Sequence, residues 1–208
     1  MRSYRPYFRE AIQKYFPANA ATLIRETENQ YAGLSKDTAF ALTSPNPIDR
    51  RLDFCAYFLA MIITLDHAGI AYATIREICL DITTRYVQPR NGLQRYVKQL
   101  LPKLTGTLLF RQLIKVFAKK VSSNPSKDGF IAKIITDKEA TFGLGYGVDI
   151  LECGICKLFS KHGYGKYASI LCEVDVITSG LAGLELVRNG TIALGAEKCD
   201  FRYKRKKV

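Results

Sequence analysis

The feature that most constrains this chain is a twelve-residue run from Phe54 to Leu65, apolar apart from Thr64 and closed at each end by an acid, Asp53 and Asp66. A bilayer span needs about 20 such residues, so the run is too short to cross a membrane. It reads as a helix buried in a protein core. Asp49 is placed to cap this helix, which is apolar from Leu52 to Leu65 and ends near Gly69.

The surrounding sequence supplies helices to cover it. Tyr4 to Phe16 carries Tyr7, Phe8, Ile12, Tyr15 and Phe16 at helical spacing, and after Pro17 a second helix is predicted from about Ala18 to Gln30. Ser35 to Pro47, rich in Ser, Thr, Asn and Pro, reads as a loop. A helix over Tyr72 to Tyr86 shows Ile75, Ile78, Cys79 and Ile82 on one face, and Pro89 and Asn91-Gly92 end it. Two more are predicted at about 93–101 and 107–121. The second has an apolar stripe of Phe110, Leu113, Ile114, Phe117 and Val121 beside a basic one of Arg111, Lys115 and Lys119. The basic stripe suits a solvated face better than a membrane-binding one.

The pattern changes after residues 122–129, a linker of Ser, Asn, Pro and Gly that divides a helical part, 1–121, from a second part, 130–208. Strands are predicted at Phe130 to Ile135 and Tyr146 to Leu151, and helices at Cys153 to Lys161 and Tyr167 to Ser179. Leu184 to Arg188 and Thr191 to Leu194 read as a hairpin joined by Asn189-Gly190, the dipeptide favoured in type I′ turns. Cys199 to Arg205 makes a last strand. The class is therefore α+β: an N-terminal helical layer packed on a mostly antiparallel C-terminal sheet with two interspersed helices.

The 208 residues, 48% hydrophobic and 24% charged, suit one domain or two closely packed halves. The first ten residues show no secretory signal, so a cytoplasmic setting with reduced cysteines is expected. The net charge is +12, and residues 85–133 hold eleven Lys and Arg against one acid, Asp128. Such a field favours a small anionic ligand or an acidic partner. Nucleic acid fits less well, because no recognition motif and no run of aromatics between basic residues is present.

Candidate chemistry lies in the last third. Cys153 sits where a strand meets a helix, and the positive end of the helix dipole would lower its pKa. Asp175 follows Cys172 by three residues, one turn on along the same helix face. Cys199 opens the last strand. Three thiols and their neighbouring acids suggest one site if these elements converge. Cys55 and Cys79, inside apolar helical patterns, read as small core residues. Cys153-Gly-Ile-Cys156 is a CxxC pair, but no second ligand pair follows it, and no metal is expected. The glycines of residues 143–147 open no helix after a strand, so they form no dinucleotide fingerprint, and no cofactor is expected.

From Leu151 onward, Cys153, Phe159 and Gly163 are followed by Cys172-Glu-Val-Asp175, Arg188, Thr191, Gly195-Ala196 and Cys199-Asp-Phe-Arg-Tyr203. This order resembles the L-2-amino-thiazoline-4-carboxylate hydrolase family over roughly a quarter of the chain. The sequence departs from the family pattern at Gly154-Ile155, at Lys166 and at Asn189-Gly190. The resemblance implies hydrolytic opening of a small cyclic amidine or a related C–N bond. Cys153, Cys172, Asp175 and Cys199 would be the catalytic set, with Arg188, Thr191 and Arg202 binding substrate. Alternation along the last strand sets a limit: Cys199, Phe201 and Tyr203 share one face, and Asp200 and Arg202 the other. The alternative is a non-catalytic small-molecule-binding or sensor domain of the same fold.

Overall fold

The computed structural model describes residues 3–89, 91–92, 107–122 and 126–206. The helix predicted at about 93–101 lies outside them.

The apolar run forms the middle of α3 (Arg51–His67), and every residue from Cys55 to Leu65 is buried. Around it pack α1 (Arg5–Tyr15), α2 (Ala20–Thr38) and α4 (Tyr72–Val87). Each large aliphatic or aromatic side chain so buried contributes about 1.5–3 kcal/mol, which makes this helix the centre of the fold. The two flanking acids tie neighbouring elements to it. The Tyr4 and Tyr31 hydroxyls donate to Asp53 at 2.8 and 2.5 Å, pinning α1 and α2. The Tyr167 hydroxyl donates to Asp66 at the other end.

Two expectations for this region need correction. The stretch read as a loop from Ser35 is helical through Thr38, and Ala39–Leu42 continues it as a 3-10 turn. The Ser35 and Thr38 hydroxyls bond back to the carbonyls of Ala32 and Ser35, so their polarity is satisfied inside the helix. Asp49 does not cap α3 with its side chain. Its carboxylate instead accepts the Phe130 N–H at 2.8 Å and the Ser44 hydroxyl at 2.5 Å, while Asn46 Nδ2 donates to the Phe130 carbonyl at 3.0 Å. The segment before α3 thus clamps both backbone groups of Phe130, fixing the start of the sheet against the helical layer.

The sheet is antiparallel, in the order β1-β2-β4-β3, with β1 Ile131–Ile135, β2 Gly147–Glu152, β3 Leu184–Val187 and β4 Cys199–Arg205. Ala132, Ile134, Val148, Ile150 and Cys199 face a second apolar cluster with Leu52, and with Ile114 and Val121 of α5 (Leu108–Ser122). Leu113, assigned to the apolar stripe of α5, is instead 60% exposed. Helices α6 (Gly154–Lys161) and α7 (Ala168–Leu181) lie between β2 and β3, and their Leu158, Phe159, Ile170 and Leu171 join the core around α3. That core therefore draws on both sides of residues 122–129. The architecture is α+β, with N-terminal helices and a C-terminal antiparallel sheet.

The hairpin predicted at Asn189-Gly190 is different. β3 pairs with β4, and residues 192–194 form a 3-10 turn rather than a strand. The Asp200 carboxylate accepts the backbone N–H groups of Asn189 and Gly190, each at 3.0 Å, and the Asn189 side chain at 2.8 Å. This holds the connection open as a wide loop, which turns back through Gly195 in the left-handed conformation (φ 88°). No described helix is long and apolar enough to cross a membrane.

Candidate active site

The end of β2, the N-terminus of α6, the first half of α7 and the start of β4 meet above the inner face of the sheet. Cys153 is the N-cap residue of α6, in extended backbone conformation, and Cys156 stands one turn into the helix. Cys172 and Asp175 project from α7, and Cys199 is the first residue of β4. All four sulfurs and Asp175 line one recess, together with Arg51. Its remaining walls are apolar, among them Phe130, Ile150, Leu171 and Phe201, and its volume is about 60 Å³. No group of three or more His, Cys, Asp or Glu among the described residues is arranged to hold a metal ion.

The thiols differ in their readiness to ionise. Cys153 and Cys156 share a sulfur–sulfur hydrogen bond, which pushes the Cys153 pKa up and pulls that of Cys156 down. Burial adds to the rise at Cys153, and the backbone N–H groups of Ile155 and Cys156 only partly oppose it. The expectation that the helix terminus lowers the Cys153 pKa is therefore overturned: the contact between the two sulfurs makes Cys156 the more acidic and Cys153 the less acidic of the pair. Burial raises Cys172 to about 11, against the pull of Arg188. Cys199 is also raised by burial, although it accepts the Ile192 N–H at 3.2 Å. Cys55 and Cys79 are fully buried and driven further up, as befits core residues.

Asp175 is enclosed by protein, and burial raises its carboxyl above the usual range against the pull of Arg51 and Arg188. About a quarter of the side chain (26%) still opens to the cleft. The two arginines approach it at 3.9 and 3.7 Å, too far for hydrogen bonds. Arg188 does not line the recess. Its guanidinium lies over the Phe201 ring at 5.1 Å, Nη2 donates to the Cys172 carbonyl at 3.2 Å, and Nη1 is buried without a hydrogen-bond partner. Arg51, 68% exposed, is the cation that faces the cavity. The Thr191 hydroxyl is buried and holds the Cys172 pKa down a little. Arg202 points to the opposite sheet face, as strand alternation requires, and pairs with Asp149 at 2.8 Å, while Lys198 binds the same carboxylate at 2.7 Å. Thus Cys153, Cys172, Asp175 and Cys199 come together, while Arg188, Thr191 and Arg202 are absent from the lining.

A wider cleft of about 480 Å³ adjoins the recess, between α7 and the sheet. Arg51, Asp175, Ile48, Ile150 and Phe201 border both, so the two spaces adjoin.

The model of the L-2-amino-thiazoline-4-carboxylic acid hydrolase family matches residues 56–203. The chain belongs to this family. The match begins inside α3, far upstream of the cysteine pattern, and runs through both cores to β4. At the family level the chain is hydrolase-like. No curated protein and no solved structure matches it. Two residues in the recess escaped sequence reading. Cys156 was visible only as half of a CxxC pair, with nothing to tell which sulfur would hold the charge. Arg51 gave no signal, because it starts a helix a hundred residues before the cysteines and reaches them only through the clamp on Phe130.

Proposed function

We propose that this chain hydrolyses a small cyclic amidine of the 2-amino-thiazoline-4-carboxylate type, with Cys156 as nucleophile and Asp175 as proton carrier. One observation carries this reading: the single thiol whose pKa is lowered shares a recess with a carboxyl group whose pKa is raised. Nucleophilic catalysis needs available thiolate, and proton transfer to a leaving group needs an acid that keeps its proton.

The atoms balance as follows. The Cys156 thiolate adds to the ring carbon between sulfur and nitrogen. The carbon–ring sulfur bond breaks, and Asp175 supplies the proton that the leaving sulfur takes up. A water molecule, deprotonated by Asp175, then attacks the same carbon and expels the Cys156 thiolate. The product is N-carbamoyl-cysteine, in which the carbon keeps both nitrogens. The bond that breaks is therefore C–S, not the C–N bond expected for the class.

Cys153 is the positioning donor that favours ionisation of Cys156, and Arg51 pairs with the substrate carboxylate. Arg188, expected to bind substrate, instead lies against Phe201, 3.7 Å from Asp175. Cys172, Cys199 and Thr191 shape the recess wall, and Arg202 serves the far face of the sheet.

The test is turnover of L-2-amino-thiazoline-4-carboxylate, followed by the new thiol that ring opening releases. Wild type and Cys172→Ala are expected to open the ring, and Cys156→Ala is not. Binding without ring opening would favour the non-catalytic ligand-binding domain. Loss of activity in Cys172→Ala but not in Cys156→Ala would move the nucleophile to Cys172.

A further inference from the structure

Given the ring-opening reading above, we infer that the substrate is larger than the thiazoline carboxylate: a cyclic amidine head joined on its carboxyl side to an aromatic or apolar arm. Pockets that hold small ligands have volumes of roughly 300–1,000 Å³. The cysteine-lined recess, at about 60 Å³, holds a reacting group and its water but little more. The adjoining outer cleft, at about 480 Å³, has the volume of a ligand site in its own right.

Orientation decides which end of the substrate enters that cleft. With the amidine carbon turned toward the sulfurs, the ring carbon that bears the carboxyl group lies on the opposite side of the ring. The substituent there emerges at the neck, where Arg51 and Asp175 border both spaces.

The chemistry of the outer cleft names the class of the arm. Its walls carry Phe117, Tyr146, Leu184, Phe201 and Tyr203, and Ala182 keeps the helix side open. Tyr146 and Tyr203 lie nearly parallel, with ring centroids 5.8 Å apart and planes 9° from each other. Burial raises both phenols, so they stay neutral donors, and neither hydroxyl has a hydrogen-bond partner among the described residues. An arm with an aromatic ring for these walls and a carbonyl or carboxylate for the hydroxyls and Arg51 fits this surface. An amide between the thiazoline acid and an aromatic amino acid has that composition.

The test compares L-2-amino-thiazoline-4-carboxylate with its L-phenylalanine amide as substrates of the purified full chain, by the ratio of their kcat/KM values for ring opening. The amide is expected to be preferred by about tenfold or more, the scale of discrimination that one well-filled apolar pocket provides. In Ser179→Phe, which fills the outer cleft from α7, the ratio is expected to fall to about one; being a ratio, it cancels any general loss of folded protein. A wild-type ratio at or below one, with the free carboxylate opened, overturns the inference and leaves the ring-opening reading intact. A preference unchanged in Ser179→Phe also overturns it, because the arm then lies elsewhere. If neither compound is opened, the ring-opening reading fails and the inference falls with it.

Discussion

Replacing Asp49 by alanine tests whether the clamp on Phe130 joins the helical layer to the sheet. Asp49 is fully buried, and its carboxylate accepts the Phe130 N–H and the Ser44 hydroxyl. The substitution leaves the Phe130 N–H buried without its partner, at a cost of about 1–3 kcal/mol, and removes the net contribution of the Ser44 bond, about 0.5–1.5 kcal/mol. The expected loss is therefore about 1.5–4.5 kcal/mol. For a chain of this size each kcal/mol moves Tm by roughly 2–4 °C, so Tm should fall by roughly 3–18 °C. Urea denaturation gives the same quantity from the midpoint at unchanged slope.

Gly129 gives an independent handle on the same contact. A Cβ added there would lie 2.7 Å from Asp49 Oδ1 and 2.9 Å from Oδ2, so Gly129→Ala alone should cost about 1–3 kcal/mol by overpacking. In the Asp49→Ala background the obstruction is gone and the cost should largely vanish, a coupling of about 0.5–3 kcal/mol. A loss below about 1 kcal/mol for Asp49→Ala, or strict additivity with Gly129→Ala, would refute the clamp.

Four further outcomes follow from the electrostatics of the recess. With a limiting alkylating agent at neutral pH, Cys156 should label first and Cys55 and Cys79 last, read by peptide mass. Cys153→Ala removes the hydrogen bond that lowers the Cys156 pKa, so the acidic limb of the rate profile should move to higher pH. Burial raises the folded pKa of Asp175 above its unfolded value, so its favourable contribution is complete below the unfolded pKa and is lost as pH rises through the folded one. Asp175→Asn should therefore raise Tm at pH 8 more than at pH 4 while abolishing ring opening; equal Tm shifts at both would deny the raised pKa. Arg51→Met should raise KM by about tenfold and flatten its salt dependence with kcat little changed, because uniform binding is what is removed; an unchanged KM would place the substrate carboxylate elsewhere.

Much of the fold could be read from periodicity. The bounds of β4 and the burial of residues 55–65 follow from residue type alone. The errors arose where a distant partner decides local structure. Ser35 and Thr38 carry loop-forming side chains, yet satisfy them within α2, and the apolar residues 39–42 continue the turn. Asn189-Gly190 favours a tight turn until the carboxylate of Asp200, across the hairpin, takes both of its N–H groups. Similarly, Asp49 has the composition of a cap, but its partner is Phe130, eighty-one residues away.

At the site, the i, i+3 spacing of Cys172 and Asp175 and the alternation of β4 were legible, and they put those residues and Cys199 on recess-facing surfaces. Which thiol is the more acidic was not legible, because it depends on the hydrogen bond between Cys153 and Cys156 and on how deeply each is enclosed. Nor was it legible which of the two arginines faces the recess. Arg188 carries the motif but is turned behind Phe201, while Arg51 faces the cleft because the clamp on Phe130 holds the start of α3 against the sheet.

The central claim is that Cys156 becomes covalently attached to the amidine carbon. Mixing excess enzyme with L-2-amino-thiazoline-4-carboxylate, quenching in acid within one turnover and mapping the modified peptide by mass tests it most directly. The account predicts an adduct on Cys156 with the mass of the ring-opened substrate, decaying as N-carbamoyl-cysteine appears. Product formation in Cys156→Ser at the wild-type rate, or an adduct confined to Cys172, would contradict it.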